Sequence, residues 1–229
     1  MIAASLILAV SAMTATSCEY VFLQSAINFR ARLKIYQTSG AEKKMLTAFA
    51  HASCKTTNPD ILWKMAATES SLRPLIALNN RTHQIMEGSE VERLVIRSSR
   101  NEDFVNVDVG LLQINMKAHG ATMAGLGLSP LNPTDQVRYL VDTMMPALIK
   151  RCGKDGWVGC YHSWSVPWRS KAYQIRVASK EKALRRALSE LSPSKKKILT
   201  EVRIEPRSPR LEPMFAVETT AYQKKKNAQ

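Results

Sequence analysis

The chain has 229 residues, of which 45% are hydrophobic, and its 33 Lys and Arg against 19 Asp and Glu give a formal net charge of +14. This length and apolar fraction suffice for one sizeable core, which excludes a wholly disordered, collagen-like or disulfide-scaffold protein. The excess positive charge indicates an anionic partner, and nucleic acid, a membrane surface or an anionic wall polymer would each fit it.

Residues 1–17 are typical of a secretory signal peptide. Residues 2–13 are uncharged and largely apolar, and small residues precede Cys18, as expected of a signal core and its cleavage zone. The run is too short to predict a membrane span. No Lys or Arg precedes it, so an ordinary buried helix is the alternative. We expect cleavage and export to the periplasm or the medium, with no stable membrane span afterwards.

The cysteines predict disulfide chemistry. With Cys18 next to the predicted cut, Cys54, Cys152 and Cys160 remain, and an odd number leaves one thiol over in an oxidising compartment. The chain has no C-x-x-C pair, and the spacing from Cys152 to Cys160 matches no common zinc site. We therefore expect a structural disulfide or buried thiols, and no metal or other cofactor. Cys152 can pair with Cys160 or with Cys54.

The sequence divides into a leader, a folded body and a basic tail. The folded body contains all four Trp, whereas the tail has two lysine triplets and too few periodic apolar residues to pack, so we expect it to be disordered. From residue 179 onward there are 13 Lys and Arg against six Glu, half of the net charge. After the leader, the predicted segments are an N-terminal helical segment (18–44), the folded domain (45–178), an amphipathic helix (179–192) and the tail (193–229).

Helix signals dominate the folded domain and predict a mainly α fold. Asn58-Pro59-Asp60 has the residues of a helix start, and this helix should end near Ser71. Residues 79–104 are polar and charged, which predicts a long insertion with one short helical piece. Asn132-Pro133 repeats the start signal, and the helix that follows should reach toward Gly153 with a kink at Pro146.

One carboxylate breaks the apolar pattern of the first of these helices. Glu69 follows Ile61 and Met65 at intervals of four residues, so all three lie on one helix face. Desolvation and the negative end of the helix dipole both raise the pKa of a carboxyl group placed there. A carboxylic acid that keeps its proton near neutral pH can act as a general acid. The alternative is that Glu69 reaches water or pairs with Arg73.

Three motifs, in order, resemble those of the soluble lytic transglycosylases, glycoside hydrolase family twenty-three. They are Glu69-Ser70 after an apolar helix, Gly110-Leu-Leu-Gln-Ile-Asn115, and Gly159-Cys-Tyr-His-Ser163 after another helix. Asn106-Val-Asp-Val109 before the glycine motif, the polar insertion and the Tyr-His-Ser ending resemble the small transglycosylases of conjugation and type IV secretion machines. The resemblance covers about residues 45–177.

The resemblance implies a mainly α, lysozyme-like domain with a glycan cleft and no cofactor. It implies cleavage of the β-1,4 bond between N-acetylmuramic acid and N-acetylglucosamine with 1,6-anhydro ends, for local wall opening during assembly of a secretion or conjugation apparatus. The partners implied are peptidoglycan strands and components of that apparatus. The location implied is the bacterial cell envelope.

The resemblance also assigns roles to matching positions. Glu69 is the lone general acid and then the general base, and Tyr161 orients it by a hydrogen bond. Ser70 supports the helix end, and Gly110 allows the chain or the substrate to approach closely. Gln113 and Asn115 line the cleft near the sugar. The implied substrate-binding residues are therefore Gln113, Asn115, Tyr161, Gly110 and Ser70.

Each of these roles has a structural alternative. Gln113 and Asn115 can satisfy loop backbone groups, and Tyr161 can belong to the core. For Asp108 we prefer capping of the following turn. His162 departs from the broader family, which more often has Asn after this Tyr, and we assign it no role. Trp157, Trp164 and Trp168 can stack on sugars or pack, and we expect packing for at least one.

Three other functions compete with transglycosylation. A goose-type lysozyme would hydrolyse the same bond, and a non-catalytic adaptor would bind glycan and use its basic tail to recruit a secretion apparatus. Nucleic acid binding would use the lysine clusters of the tail. Only Phe215 and Tyr222 are aromatic after residue 200, which offers little base stacking, so we expect no nucleic acid partner.

Overall fold

The structure is a computed structural model that describes residues 4–33, 38–100 and 105–189, and the described chain is mainly helical, as predicted. No helix in these ranges combines the length and apolarity needed to cross a membrane. The helices are α1 (Ala4–Arg32), α2 (Gly40–Cys54), α3 (Pro59–Glu69), α4 (Ser89–Arg100), α5 (Met116–Gly125), α6 (Pro133–Tyr139), α7 (Met145–Cys152), α8 (Trp157–Ser163) and α9 (Pro167–Ser189). The strands are β1 (Ile76–Asn79), β2 (Ile85–Glu87), β3 (Val107–Val109) and β4 (Ile114–Asn115).

The N-terminal helices are part of the main core. α1 continues without a break through the predicted cleavage zone, and export stays a prediction. Its Phe22, Ala26 and Phe29 are buried in the same cluster as residues of α3 and α9. α2 starts with a capping box, in which the Ser39 hydroxyl accepts from the Glu42 backbone N–H and the Glu42 carboxylate accepts from the Ser39 N–H.

All four cysteines form disulfides. Cys18 bonds Cys54 and so joins α1 to α2, and Cys152 bonds Cys160, which joins the end of α7 to α8. The structure thus gives Cys152 the partner Cys160 rather than Cys54. The expectation of one unpaired thiol was wrong. It left out Cys18 because that residue lies next to the predicted cleavage site, whereas Cys18 lies in α1 and bonds Cys54.

α3 carries the carboxylate that the sequence singled out. It begins at Pro59, as predicted, although the Asn58 side chain makes no capping hydrogen bond. Its inner face is buried, and Trp63 packs edge-on against Phe29 with the ring centroids 5.4 Å apart. The helix ends at Glu69, and the next residues turn the chain toward β1.

The predicted insertion, residues 79–104, contains β2 and α4, and β2 belongs to a small antiparallel sheet whose other strands lie at or beyond the ends of the insertion. The strand order of this sheet is β2-β1-β3-β4, and α4 packs on it through Val91 and Val95, which cluster with Val107 and Val109. We expected a polar insertion with a short helical piece. The prediction missed the hairpin because strands of two to four residues are too short for an alternating pattern to be recognised.

The helix predicted after Asn132 is interrupted. α6 passes into a π-helical turn over Leu140–Met144, where the Met145 N–H donates to the Leu140 carbonyl, and α7 follows. Pro146 lies at the start of α7 and has no N–H to donate, which favours an irregular turn just before it. The irregularity therefore lies a few residues before the predicted kink.

α9 crosses the predicted boundary at residue 178. It is one helix of 23 residues, and its Tyr173, Val177 and Leu184 are buried in the main core. The amphipathic helix predicted over residues 179–192 is therefore the C-terminal part of α9 as far as Ser189. Residues 190–192 and the predicted basic tail lie outside the described residues.

Candidate active site

Glu69 is the last residue of α3 and lies where the main core meets the sheet. Met65 and Ala66, on the same helix, are fully buried, whereas the Glu69 side chain is only partly buried. Part of the Glu69 residue is therefore accessible at the surface, and burial still desolvates its carboxyl group enough to raise the pKa. A group that must give a proton to a bound molecule needs both properties.

The environment of Glu69 favours its protonated form. Burial raises the pKa of this carboxyl from 4.5 to about 7, and the negative charge of Asp108 acts in the same direction. The Tyr173 hydroxyl and the Arg176 guanidinium lower the pKa, but less than burial raises it. A glutamate in water would be almost fully ionised at pH 7, whereas burial helps Glu69 to keep its proton near that pH.

Tyr173 of α9 supplies the hydroxyl that faces Glu69. The Tyr173 hydroxyl oxygen is buried and makes no hydrogen bond of ordinary distance and angle to any described residue. Its proximity to the Glu69 carboxyl nevertheless lowers the pKa of that group. Burial and the Glu69 charge raise the pKa of Tyr173, so this phenol keeps its proton and can donate it in a hydrogen bond.

Tyr161 has a different partner from the one predicted. Its hydroxyl donates to the Leu112 carbonyl, so its single proton holds the glycine motif in place and is not given to Glu69. Burial, and then the charge of Glu69, raise the pKa of Tyr161, which places Tyr161 beside the acid. The expected hydrogen bond from Tyr161 to Glu69 was therefore wrong, and Tyr173 is the tyrosine that faces the carboxyl group.

Gly110 is required by the packing of the protein itself. Its φ is +75°, and a Cβ built on it would lie 1.8 Å from Nε2 of Gln136. Gln136 is fully buried, accepts from the Leu112 N–H and donates to the Pro130 carbonyl. We expected either the chain or the substrate to come close to Gly110. The structure shows the first of these, because the Gln136 side chain packs against Gly110.

The side-chain amide groups of Gln113 and Asn115 bind protein groups. Gln113 donates to the Gly110 and Ile76 carbonyls at 2.8 and 3.3 Å. Asn115 caps α5 by accepting from the Ala118 N–H, and its Nδ2 donates to an Asp108 oxygen at 2.7 Å. Both residues therefore have the structural role that we gave as the alternative.

Asp108 does not cap a turn, contrary to our preference. It lies within β3, where it pairs with Leu78 and Asn115. Its carboxylate accepts from Asn115 and acts electrostatically on Glu69, Tyr161, His119 and His162. The structure thus brings a second carboxylate into the surroundings of Glu69.

Ser70 and Arg73 stabilise the end of α3. Ser70 is buried, and its hydroxyl donates to the Ala66 carbonyl, which leaves it a structural role. Arg73 pairs with Glu87 and donates to the Ser70 carbonyl. The alternative in which Arg73 neutralises Glu69 is therefore wrong. Ser71 and Leu72 have φ values of 54° and 60°, and this left-handed pair turns the chain sharply after the acid.

His162 and Arg176 cover the outer side of Tyr173. The His162 ring stacks on the Tyr173 ring with centroids 4.9 Å apart and planes 10° apart. Its Nε2 lies 3.4 Å from an Arg176 nitrogen, and since guanidinium can only donate, this nitrogen accepts and the imidazole is neutral. Burial and the Arg176 charge lower the pKa of His162, in agreement with that state.

Three residues of this site were missed from the sequence: Tyr173, Gln136 and Arg176. Gln136 follows Pro133 by three residues on the buried face of α6, and it is the same kind of polar exception that identified Glu69. Tyr173 precedes the buried Val177 by four residues, so the pattern predicts its burial but not its partner. Nothing in the sequence distinguishes Arg176 from the other basic residues of α9.

The two tyrosines give opposite predictions for stability and acidity. Tyr161→Phe should lower the free energy of unfolding by about 1–3 kcal/mol, because it leaves the buried Leu112 carbonyl without a donor. Tyr173→Phe should leave that free energy within about 1 kcal/mol, because no well-formed hydrogen bond is lost. It should raise the pKa of Glu69, since the hydroxyl lowers it. Urea denaturation of both variants would measure the change in stability, and carbon-13 NMR titration of the Glu69 carboxyl would measure the change in its pKa. A larger loss of stability in Tyr173→Phe than in Tyr161→Phe would contradict the partners assigned to the two tyrosines.

Comparison with protein families, curated proteins and solved structures found no match to this chain. Within the described residues, no group of three or more His, Cys, Asp or Glu is placed to hold a metal ion. The site is therefore interpreted from its own chemistry.

Proposed function

We propose that the protein is a peptidoglycan lytic transglycosylase with Glu69 as its general acid and base. The observation that carries the proposal is a partly buried carboxyl group at the end of α3, whose burial raises its pKa to about 7. The three motifs that resemble lytic transglycosylases support it, because their Glu69, Leu112 and Tyr161 lie together in space. A lysozyme-like fold with a glycan cleft is part of this proposal.

The reaction needs one protein carboxyl group. Protonated Glu69 gives its proton to the glycosidic oxygen as the bond to the muramic acid C1 breaks, and the acetamido oxygen of the same sugar bonds to C1. The Glu69 carboxylate then takes the proton of the muramic acid 6-hydroxyl. That oxygen displaces the acetamido oxygen from C1 and closes the 1,6-anhydro ring, so no water is consumed and Glu69 is again protonated.

A goose-type lysozyme is the second candidate, and Asp108 is the observation that favours it. Hydrolysing glycosidases of the inverting type use a second carboxylate to activate water, and Asp108 is held by Asn115 within electrostatic reach of Glu69. Asp108 also has a role in the first candidate, since its charge helps Glu69 to keep its proton. The products distinguish the two reactions.

Glycan cleavage should decrease as the pH rises through about 7. Glu69 must start protonated, and since its pKa is raised from 4.5 to about 7, the active form is present below this value and is lost above it. The initial rate of muropeptide release from purified sacculi, measured from about pH 5 to about pH 9, tests this. A decrease centred near 4.5, the ordinary glutamate value, would contradict the assignment of Glu69.

Zymography tests whether the protein is an enzyme or an adaptor. Purified protein should clear peptidoglycan embedded in a gel, and the clearing should require Glu69. Binding to sacculi without clearing at any pH would instead support the non-catalytic adaptor. We propose the cell envelope as the location and a secretion or conjugation apparatus as the system served, because the motifs resemble those of the transglycosylases that accompany such machines.

A further inference from the structure

His162 takes part in no step of the proposed reaction, yet its ring packs on a residue that faces the acid. The imidazole of His162, on α8, stacks on the Tyr173 ring of α9 with the centroids 4.9 Å apart and the planes 10° apart. The Tyr173 hydroxyl in turn acts on the Glu69 carboxyl. His162 is thus connected to the surroundings of Glu69 through one aromatic ring.

Arg176 is the positively charged group that acts on Glu69. It follows Tyr173 by three residues on α9, so the two side chains are neighbours on the helix surface. The guanidinium carbon of Arg176 lies 5.5 Å from the Tyr173 ring centroid. The charge of Arg176 lowers the pKa of Glu69, against the larger effect of burial. The acidity of Glu69 therefore depends on where this guanidinium group is held.

The Arg176 side chain has few contacts that fix its position. Arg176 is exposed, and it takes no part in the ion pairs formed among the described residues. An exposed arginine has many side-chain conformations, and a charge that turns into water is screened. The contact that orients the guanidinium group is with His162, whose Nε2 lies 3.4 Å from an Arg176 nitrogen.

Only the neutral form of His162 can make this contact. Guanidinium nitrogens are donors and never acceptors, so Nε2 must have a free lone pair and the ring proton must be on Nδ1. Partial burial and the charges of Arg176 and Arg169 lower the pKa of His162, whereas the charge of Asp108 raises it. The cations of α9 thus favour the form of the ring that accepts the hydrogen bond.

We propose that His162 is a positioning residue, which uses its neutral ring to hold Tyr173 and Arg176 in place beside Glu69. Stacking fixes the tyrosine ring, and Nε2 accepts a hydrogen bond from the guanidinium group. The inference concerns control of the candidate active site, so its consequence for glycan cleavage rests on the proposed function. Its structural part is tested without any substrate.

Carbon-13 NMR titration of the Glu69 carboxyl in His162 variants tests the proposal. His162→Phe keeps a flat ring for stacking but has no acceptor, so Arg176 is released. The pKa of Glu69 should then rise by about half a unit, as expected when one nearby charge moves away. His162→Gln places an amide oxygen near the position of Nε2 and should restore the pKa of the unmodified protein. If the protein cleaves glycan, muropeptide release by His162→Phe should extend to higher pH by the same amount.

Variants of Arg176 show whether this residue transmits the effect. Arg176→Gln alone should raise the pKa of Glu69 as much as His162→Phe does, and adding His162→Phe to it should cause no further rise. The matched control is Lys171→Gln, which removes an exposed charge of the same helix that is not among the groups acting on Glu69. It should leave the pKa of Glu69 unchanged. His162 and Arg176 are both exposed, so we expect these variants to fold, and circular dichroism checks this.

Three results would overturn the proposal. An unchanged pKa of Glu69 in His162→Phe would show that His162 does not hold Arg176. An equal rise in His162→Gln and His162→Phe would show that the acceptor at Nε2 is not needed. A further rise when His162→Phe is added to Arg176→Gln would show that the ring acts on Glu69 by another route. None of these results bears on the proposed function, because muropeptide release by the unmodified protein is assayed separately.

Discussion

Glu69→Gln is expected to reduce the release of soluble muropeptides from sacculi by about a thousandfold or more. The amide cannot give a proton to the glycosidic oxygen or take one from the 6-hydroxyl, and general acid–base catalysis contributes about 10² to 10⁴ at each such step. The variant keeps the shape of the side chain, so the packing between α3 and the sheet is preserved. The assay is the amount of soluble product formed per enzyme molecule.

The stability of the same variant provides an independent check on the environment of Glu69. Since the pKa of Glu69 is raised by folding, stability is highest where the group is protonated and decreases as the pH rises from 4.5 to about 7. The neutral amide avoids this penalty. We expect Glu69→Gln to be at least as resistant to urea as the unmodified protein at about pH 8.

Glu92→Gln is the matched control for both measurements. Glu92 is an exposed glutamate of α4, and its replacement should change neither muropeptide release nor the dependence of stability on pH. If Glu69→Gln kept full activity, or if Glu92→Gln were equally inactive, the assignment of Glu69 as the catalytic acid would be wrong.

Gly110→Ala is expected to lower the free energy of unfolding by about 3 kcal/mol or more. Part of this cost comes from φ of +75°, which penalises an L-residue by about 1–2 kcal/mol. The larger part comes from the Gln136 side chain, whose Nε2 would lie 1.8 Å from the new Cβ. Gln136 cannot move aside cheaply, because it is fully buried and its amide group binds the Leu112 N–H and the Pro130 carbonyl.

Gly127→Ala isolates the backbone contribution. Gly127 has φ of +67°, and a Cβ built there would meet no atom within 4 Å, so this variant should lose only about 1–2 kcal/mol. Urea denaturation of both variants gives the difference that is due to Gln136. Equal losses would contradict the interpretation that Gly110 is required by the close approach of Gln136.

The sequence was sufficient to single out the Glu69 carboxyl group and to predict the main helix starts. A charged residue on the apolar face of a helix is a local pattern, and it located Glu69 at the end of α3 together with the sign of its pKa shift. Pro at the first helical position likewise located α3 and α6. These features depend on residues within one or two helical turns of each other, so periodicity is enough to predict them.

The partners of these residues depend on tertiary contacts and could not be predicted in the same way. Tyr161 and Tyr173 are both aromatic residues on helices, and only the packing of α9 against α3 decides that Tyr173 faces the acid. The pairing of Cys18 with Cys54 likewise depends on how α1 lies beside α2. The side-chain amide groups of Gln113 and Asn115 form hydrogen bonds with neighbours in the sheet and its loops. The strands of this sheet are too short to be recognised from the sequence, so these partners could not be predicted.

The mass of the released muropeptides tests the central proposal most directly. Digestion of purified sacculi with the unmodified protein, followed by mass spectrometry, reports how the glycosidic bond is broken. If Glu69 acts alone and the 6-hydroxyl closes the ring, the products have 1,6-anhydro ends and weigh one water less than ordinary muropeptides, and the Glu69→Gln protein releases none. Products with reducing ends would show that water attacks the sugar, which would contradict transglycosylation and assign a hydrolytic role to the Glu69 site.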